Sequence, residues 1–216
     1  AMLRHEYSLL RGLRDQVPGV ARALALREDA AHLPSLVLED AGPQNLQEWL
    51  GRRPVAMDAF LELALQLAGI IASLHQQHVI HRDLNPTNMV VSAGSRHVTV
   101  IDFDLATQVA GVAPEGGLPD ELQWTLPYIA PEQTGRMNRP VDHRADLYSL
   151  GATFYELLTG LPPFVSTDPA ELVHAHLAKP PVPPAFANPA VPKLLSDVVL
   201  RLLAKMPEER YQSAEA

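Results

Sequence analysis

Two short acidic motifs constrain this 216-residue chain more than any other feature of its sequence. Residues 81–88 read HRDLNPTN, which provides a carboxylate at Asp83 and a carboxamide at Asn88. Residues 101–104 read IDFD, so that Asp102 comes directly after an apolar strand pattern. Carboxylate and amide oxygens are the ligands that magnesium prefers, and a further carboxylate can orient a hydroxyl group. The two motifs therefore predict a cleft in which Asn88 and Asp102 bind a divalent cation beside Asp83.

A third motif closes the same stretch, because residues 130–132 read APE. Three motifs in this order and at these spacings resemble the eukaryotic-type Ser/Thr protein kinase family, over nearly the whole chain. The resemblance implies an α+β, protein-kinase-like fold that consists mainly of the helical C-lobe, with a truncated N-lobe. The partial N-lobe would span residues 1–41, from the regulatory helix to the hinge. The C-lobe would span 42–216, with the catalytic loop at 81–88 and the activation segment at 102–132.

A narrower resemblance involves the segment 131–139, which reads PEQTGRMNR, and the segment 148–160. Both are similar to the kinase module at the front of large bacterial signalling proteins, in which an ATPase module and often GAF and histidine-kinase modules follow. The implied activity is transfer of the γ-phosphate of ATP to Ser or Thr hydroxyls, with Mg²⁺ as the metal. The implied partners are a protein substrate and the downstream modules of the same polypeptide.

The same resemblance implies roles for particular residues of the cleft. Asp83 orients the acceptor hydroxyl and takes up its proton, and Arg82 and Asn85 complete the catalytic set. Asn88 and Asp102 bind magnesium. The nucleotide is contacted by the hinge, the metal ligands and the regulatory helix, at Glu39, Ala41, Asn88, Asp102 and Glu6. Without the resemblance, this last glutamate reads equally well as an ordinary solvated helix residue.

Other residues are expected to support the catalytic loop from below. The resemblance implies that His81 and Phe103 stack as members of an apolar internal spine, with Leu10 as a third member. Asp146 lies in a strongly apolar helix pattern, where a buried carboxylate needs hydrogen-bond donors. The resemblance implies that those donors are backbone N–H groups around residues 81–82.

Two further contacts are implied in and after the activation segment. Thr125 matches the residue that hydrogen-bonds the catalytic Asp83, which would keep it unmodified. Glu132 and Arg210 resemble a buried ion pair that ties the end of the activation segment to the C-lobe. Breaking one side of such a pair leaves a buried charge and costs roughly 3–5 kcal/mol.

Two departures from the family pattern leave alternatives open. Asn85 stands where a Lys usually neutralises charge on the transferred phosphate, and an amide carries no charge. Asp104 stands where Gly usually permits a positive φ, and it adds a carboxylate near the metal site. The alternatives are a nucleotide-binding pseudokinase that acts as a regulatory module, and a kinase-like enzyme with a small-molecule acceptor. Thr125 and the APE motif favour a protein acceptor, because this segment shapes a docking surface for a peptide.

Some kinase parts have no counterpart in this sequence. The Gly-rich loop and the strand Lys are expected upstream of residue 1, and the first Lys of the chain is Lys179. We therefore interpret the chain as a fragment that is itself inactive. Within 103–124 the only hydroxyl side chain is Thr107, whereas three acidic residues, Glu115, Asp120 and Glu121, follow it in the same loop. Our hypothesis is that these acids replace an activating phosphate opposite Arg82, and a simply solvated loop is the alternative.

Composition narrows the setting of the protein. A formal charge of −8 argues against nucleic acid or an anionic membrane as the main partner. The absence of Cys suits a reducing cytoplasm, where we expect the protein to be soluble. The longest apolar stretch, 60–74, is interrupted by polar residues and reads as too short to span a membrane.

Periodicity and turn residues predict the main elements. Helices are expected at 4–13, 46–50, 142–158 and 194–203, and strands at 20–27 and 34–38, with strand-like pieces at 79–80, 89–91 and 98–101. Asp58 and Asp168 are candidate N-caps of two further helices, and Gly160 is a candidate C-cap. His75, His78 and His81 are spaced by three, but an extended Val79-Ile80 would prevent them from converging on a metal.

Overall fold

A helix packed on a two-stranded sheet forms the first layer of the fold. The structure is a computed structural model that describes residues 2–28, 33–92, 94, 96–108 and 125–216. Helix α1 (Met2–Leu13) contacts strands β1 (Ala23–Arg27) and β2 (Ser35–Leu38), which pair antiparallel. The helix is strongly amphipathic, and its apolar side chains at Leu9, Leu10 and Leu13 are buried.

A second sheet brings the two acidic motifs together. Its antiparallel strands β3 (Gln44–Asn45), β4 (Met89–Val91) and β5 (Val98–Val100) lie in that order. Strand β4 follows the catalytic loop and β5 precedes Asp102 by two residues, so their pairing joins the ends of both motifs. The N–H of Ile101 donates to the carbonyl of Asn88 at 2.9 Å, which fixes this junction.

The remaining elements form a helical body around one central helix. These are α2 (Leu46–Leu50), α3 (Met57–Gln76), α4 (Arg144–Thr159), α5 (Pro169–Ala178), α6 (Pro184–Ala187) and α7 (Lys193–Leu202). Every residue of α4 from Ala145 to Leu158 is buried, with α3 and α7 packed against it. A Cβ atom at Gly151 would come within 2.6 Å of the Leu202 side chain, so the close approach of α4 and α7 requires glycine.

Most element predictions agree with the structure within two or three residues. Helix α2 has the predicted bounds, Asp168 caps α5 by accepting from the N–H of Ala170 at 2.9 Å, and Gly160 ends α4 with a φ of 84°. The cap predicted at Asp58 is wrong, because α3 begins at Met57 after Ala56 and has no side-chain cap. The connection between α5 and α7 contains a short helix, α6, that its many prolines did not suggest.

Helix α3 is longer than the apolar stretch in the sequence suggested. It has 20 residues. Among the described residues, it is the one helix whose length and composition would allow it to cross a membrane. The prediction that this region is too short to span is therefore wrong. Its core-facing side chains, from Phe60 to Leu74, are buried against the rest of the domain. The apolar face thus already has a partner within the protein, as in the core helix of a globular domain.

Candidate active site

The catalytic loop is attached to the central helix α4 through Asp146. The two carboxylate oxygens of Asp146 accept hydrogen bonds from the backbone N–H groups of His81 and Arg82, each at 2.9 Å. His75 of α3 donates a third hydrogen bond at 2.9 Å. Burial alone would raise the pKa of Asp146, but the bond and charge of His75 and the backbone donors hold it below its usual value. The predicted contact of Asp146 is thus present, and His75 joins it.

His81 and Phe103 form a buried pair directly above this anchor. Their ring centroids are 4.6 Å apart, and both side chains, like that of Leu10, are fully buried. Burial lowers the pKa of His81, so the imidazole is neutral. Its Nε2–H donates to the carbonyl of Ile101 at 3.1 Å, and its Nδ1 accepts from the N–H of Asp83 at 3.3 Å. The ring therefore fixes the backbone next to both acidic motifs.

The carboxylate of Asp83 lies in a site of neutral donors and negative neighbours. It accepts hydrogen bonds from Asn88 Nδ2 at 2.9 Å and Asn85 Nδ2 at 3.3 Å, and from the side chain of Thr125. Burial, followed by the charge of Asp102, raises the pKa of Asp83 to about 7, although these hydrogen bonds oppose the shift. A carboxylate with this pKa can hold or release a proton near neutral pH.

Asn85 is engaged with its own loop. Its buried Nδ2 donates to both the carbonyl and the carboxylate of Asp83, and its Oδ1 accepts from the N–H and the hydroxyl of Thr87. Its amide therefore holds Asp83 in place rather than extending toward a phosphate. Because an amide carries no charge, this position adds no positive charge to the cleft, and we expect slower transfer than with a Lys.

Asp102 and Asn88 bring a carboxylate and an amide oxygen close to Asp83. The Nδ2 of Asn88 is used by the carbonyl and carboxylate of Asp83, which directs its Oδ1 elsewhere. Asp102 adopts a left-handed φ of 66°, whereas Asp104 has no positive φ, so the strain expected at residue 104 occurs at residue 102 instead. Such strain is found where the surrounding structure holds a functional side chain in one orientation.

Two further carboxylates lie beside Asp102. Glu6 is buried, contrary to the reading as a solvated residue, and its Oε1 accepts the N–H of Phe103 at 3.1 Å. Burial raises the pKa values of both Glu6 and Asp104, and the negative charge of Asp102 raises that of Asp104 further. His5, next to Glu6 on α1, donates to the carbonyl of Ala106 at 2.8 Å. The regulatory helix is therefore bonded at two points to the segment that follows Asp102.

The charge balance of the cleft suits a magnesium ion. Within the described residues, none of the four carboxylates in the cleft pairs with Lys or Arg. In the same described residues, no three His, Asp or Glu side chains are arranged to bind a metal by themselves. His75, His78 and His81 therefore do not form a metal site of their own. Magnesium is usually held by one or two protein oxygens together with substrate phosphates. Asp102 and the Oδ1 of Asn88 fit that requirement.

The predicted hinge connects β2 to the helical body. The N–H of Glu39 donates to the carbonyl of Arg22 at 2.9 Å, and the exposed side chain of Glu39 lies 3.7 Å from that of Arg22. The carbonyl of Glu39 and the N–H of Ala41 form no hydrogen bond with any other described residue. These are the backbone groups that could meet the edge of a purine base.

The end of the activation segment is anchored by the predicted ion pair. Arg210 contacts the two carboxylate oxygens of Glu132 at 2.6 and 2.8 Å, and neither side chain is exposed to solvent by more than 1%. The acids proposed to face Arg82, which are Glu115, Asp120 and Glu121, lie outside the described residues. Sequence reasoning missed His5, His75 and Gln133. Their partners are backbone groups or a distant carboxylate, and only the spacing of His75 from His78 drew attention to it.

A buried histidine beneath residues 125–132, which we call the docking segment, predicts a pH effect on stability. Burial, and then the charge of Lys205, lower the pKa of His176 from 6.5 to about 3. The unfolded chain therefore binds a proton below pH 6.5 that the folded domain does not, so His176 lowers stability as the pH falls. At pH 5 this amounts to about 2 kcal/mol. We expect His176→Asn to reduce the difference in Tm between pH 7.5 and pH 5.

The exposed His174 on the same helix provides the matched control. His174→Asn should leave the pH dependence of Tm unchanged, while absolute Tm values can differ because His176 also contacts the hydroxyl of Tyr148 at 2.8 Å. Equal pH dependence in wild type and His176→Asn would contradict the prediction.

The fold and the cleft define a protein kinase domain, and comparison with known proteins agrees. The chain belongs to the protein kinase domain family, which it matches over residues 1–216. It is 37% identical over 188 residues to the serine/threonine-protein kinase Pkn1 of Myxococcus xanthus, covering 85% of this chain and 26% of that protein. It is 34% identical over 186 residues to the serine/threonine-protein kinase PknB of Mycobacterium tuberculosis, covering 86% of this chain and 29% of that protein.

A third relative is named as a histidine kinase. The chain is 32% identical over 226 aligned positions to the hybrid signal transduction histidine kinase G of Dictyostelium discoideum, which covers 74% of this chain and 7% of that protein. The chain thus spans less than a third of the length of these relatives. The resemblance to eukaryotic-type Ser/Thr kinases and the α+β kinase-like fold are confirmed.

Proposed function

We propose that this domain transfers the γ-phosphate of ATP to Ser or Thr hydroxyls of a protein substrate, as one part of a longer cytoplasmic signalling protein. The observation that carries the proposal is the Asp83 carboxylate, held by Asn85, Asn88 and Thr125 beside Asp102. This arrangement supplies a proton acceptor beside a metal-binding pair, which consists of Asn88 at the end of the same loop and Asp102 after β5. The partial coverage of the relatives supports a longer protein, whose downstream modules would be its partners.

The catalytic contribution of the protein is orientation and proton uptake. Asp83 accepts a hydrogen bond from the acceptor hydroxyl and aligns its oxygen with the γ-phosphorus. The new O–P bond forms as the P–O bond to ADP breaks, and the hydroxyl proton passes to Asp83 late in the reaction. Asp102 and Asn88 are the residues that would hold magnesium, which neutralises charge on the phosphate oxygens when bound.

A protein acceptor is favoured by the firm attachment of the segment next to Asp83. The carbonyl of Tyr128 accepts from the hydroxyl of Ser149 at 2.9 Å, and the Tyr128 hydroxyl donates to Glu156 at 2.6 Å. Arg82, Asp83, Thr125 and Tyr128 line one hollow on this surface. A rigid surface beside the proton acceptor can position the backbone of an extended peptide, whereas a small acceptor would need an enclosing pocket.

The test is phosphate transfer by the full-length protein that carries this chain. Incubation with labelled ATP, magnesium and a generic protein substrate should give acid-stable phosphate on Ser or Thr, with Asp83→Asn as the matched control. Acid-labile label alone would indicate transfer to His or Asp by another module. Nucleotide binding without any Ser/Thr phosphorylation would favour the pseudokinase alternative instead.

A further inference from the structure

Gln133 joins the docking segment to the catalytic loop through both ends of its carboxamide. Its Nε2 donates to the carbonyl of Arg82 at 2.7 Å. Its Oε1 accepts from the N–H of Ala130 at 3.2 Å. The side chain is only partly exposed, and the donated bond is short for an amide donor. No feature of the sequence predicts that the glutamine after Glu132 makes this contact.

The carbonyl that Gln133 binds belongs to the peptide group that leads into Asp83. Arg82 has a left-handed φ of 69°, a conformation that is unfavourable for a non-glycine residue and persists only where surrounding contacts hold it. The N–H of Arg82 is held by Asp146, and the N–H of Asp83 by His81. Between these two N–H groups lies the carbonyl of Arg82, and Gln133 supplies its hydrogen bond.

We propose that Gln133 is a positioning residue that keeps the Arg82–Asp83 peptide, and with it the Asp83 carboxylate, oriented toward the acceptor bound on the docking segment. Its own backbone is fixed by the preceding Glu132, which Arg210 anchors. An amide suits the position because it donates at one end and accepts at the other. A carboxylate at this position could still accept from the N–H of Ala130. Its other oxygen would face the Arg82 carbonyl, and two acceptors form no hydrogen bond.

The inference rests on the proposed kinase activity, and the Gln133→Glu variant of the full-length protein tests it. Removing the donor leaves the Arg82 carbonyl unsatisfied, so kcat for a peptide substrate should fall about tenfold at pH 8, while KM for ATP stays unchanged. When protonated, the introduced carboxyl can donate again. The Arg82 carbonyl and the nearby Asp83 carboxylate disfavour the ionised form of this carboxyl, so we expect its pKa above the ordinary glutamate value of about 4.3, and the ratio of variant to wild-type kcat should rise as the pH falls from 8 to 6.

Arg82 and Asp83 line the same hollow as Gln133, Asp146 holds the N–H of Arg82, and Glu132 precedes Gln133 in the chain. Both proteins contain these four charged groups, so the ratio of their kcat values cancels the effects that they share. Gln133→Met, which has neither donor nor acceptor, should lose a similar factor at both pH values, and it gives the same kcat test if the glutamate variant does not fold. Gln47→Glu, on the exposed face of α2, is the matched charge control and should behave like wild type.

Two results would overturn the inference. One is wild-type kcat in both Gln133 variants, and the other is a loss in Gln133→Glu that is equal at pH 6 and pH 8. If Asp83→Asn is inactive in the same assay, the proposed kinase function stands even though the role of Gln133 fails. If Asp83→Asn is as active as wild type, the proposed function itself fails.

Discussion

Full-length protein with Asp83→Asn should transfer phosphate on the order of 10²-fold more slowly than the wild type, or more slowly still. The substitution keeps the size of the side chain and an oxygen that can accept from Asn85 or Asn88. It removes the group that takes up the proton and the negative charge that orients the hydroxyl. The loss should appear in kcat, because the Asp83 carboxylate holds the substrate hydroxyl in the transition state.

Nucleotide affinity should change little in the same variant. The candidate contacts for ATP and magnesium are Asn88, Asp102 and the backbone of the hinge at Glu39 and Ala41, and the substitution leaves all four in place. Single-turnover rates together with ATP dissociation constants separate the two effects. Near-normal turnover in Asp83→Asn would mean that another module of the full-length protein performs the transfer.

The part of the site that could be predicted from sequence lies within short stretches of chain. Asp83 and Asn88 are five residues apart on one loop, and Asp102 follows an apolar strand whose partner strand begins next to Asn88. Pairing of two adjacent strands is enough to bring these residues together. The long-range contacts of Asp146 and of Glu132 with Arg210 followed only from the family resemblance, since no local pattern joins positions 78 residues apart.

Two of the three missed residues act on backbone groups, which leave no pattern in the sequence. Gln133 binds the carbonyl of Arg82, and His5 binds that of Ala106. Several kinds of side chain that carry a hydrogen-bond donor could bind a carbonyl group, and only the three-dimensional path of the chain decides which one does. The strain expected at Asp104 was misplaced for a related reason. The position of a left-handed residue depends on how the turn meets α1 and β5, and here it falls on Asp102.

The second large effect is expected for the buried ion pair. All five N–H donors of Arg210 are used, because its guanidinium also contacts the carbonyls of Ala204, Arg144 and Lys205 at 2.8, 2.8 and 3.1 Å. The carboxylate of Glu132 is the counter-charge among these partners. Glu132→Gln keeps the shape but leaves a fully buried cation unpaired. We expect the domain to lose roughly 3–5 kcal/mol of stability.

Hydrogen exchange of the α4 amides in the full-length protein measures this loss, because these amides are buried along the whole helix and exchange when the domain opens. The exposed pair Arg139–Glu208 gives the matched control, and Arg139→Met should cost no more than about 1 kcal/mol. The double variant Glu132→Gln/Arg210→Met should lose less than the sum of its single variants, since it leaves no charge stranded. Additive losses would show that Glu132 and Arg210 contribute through separate contacts, and that charge pairing is not what secures the docking segment.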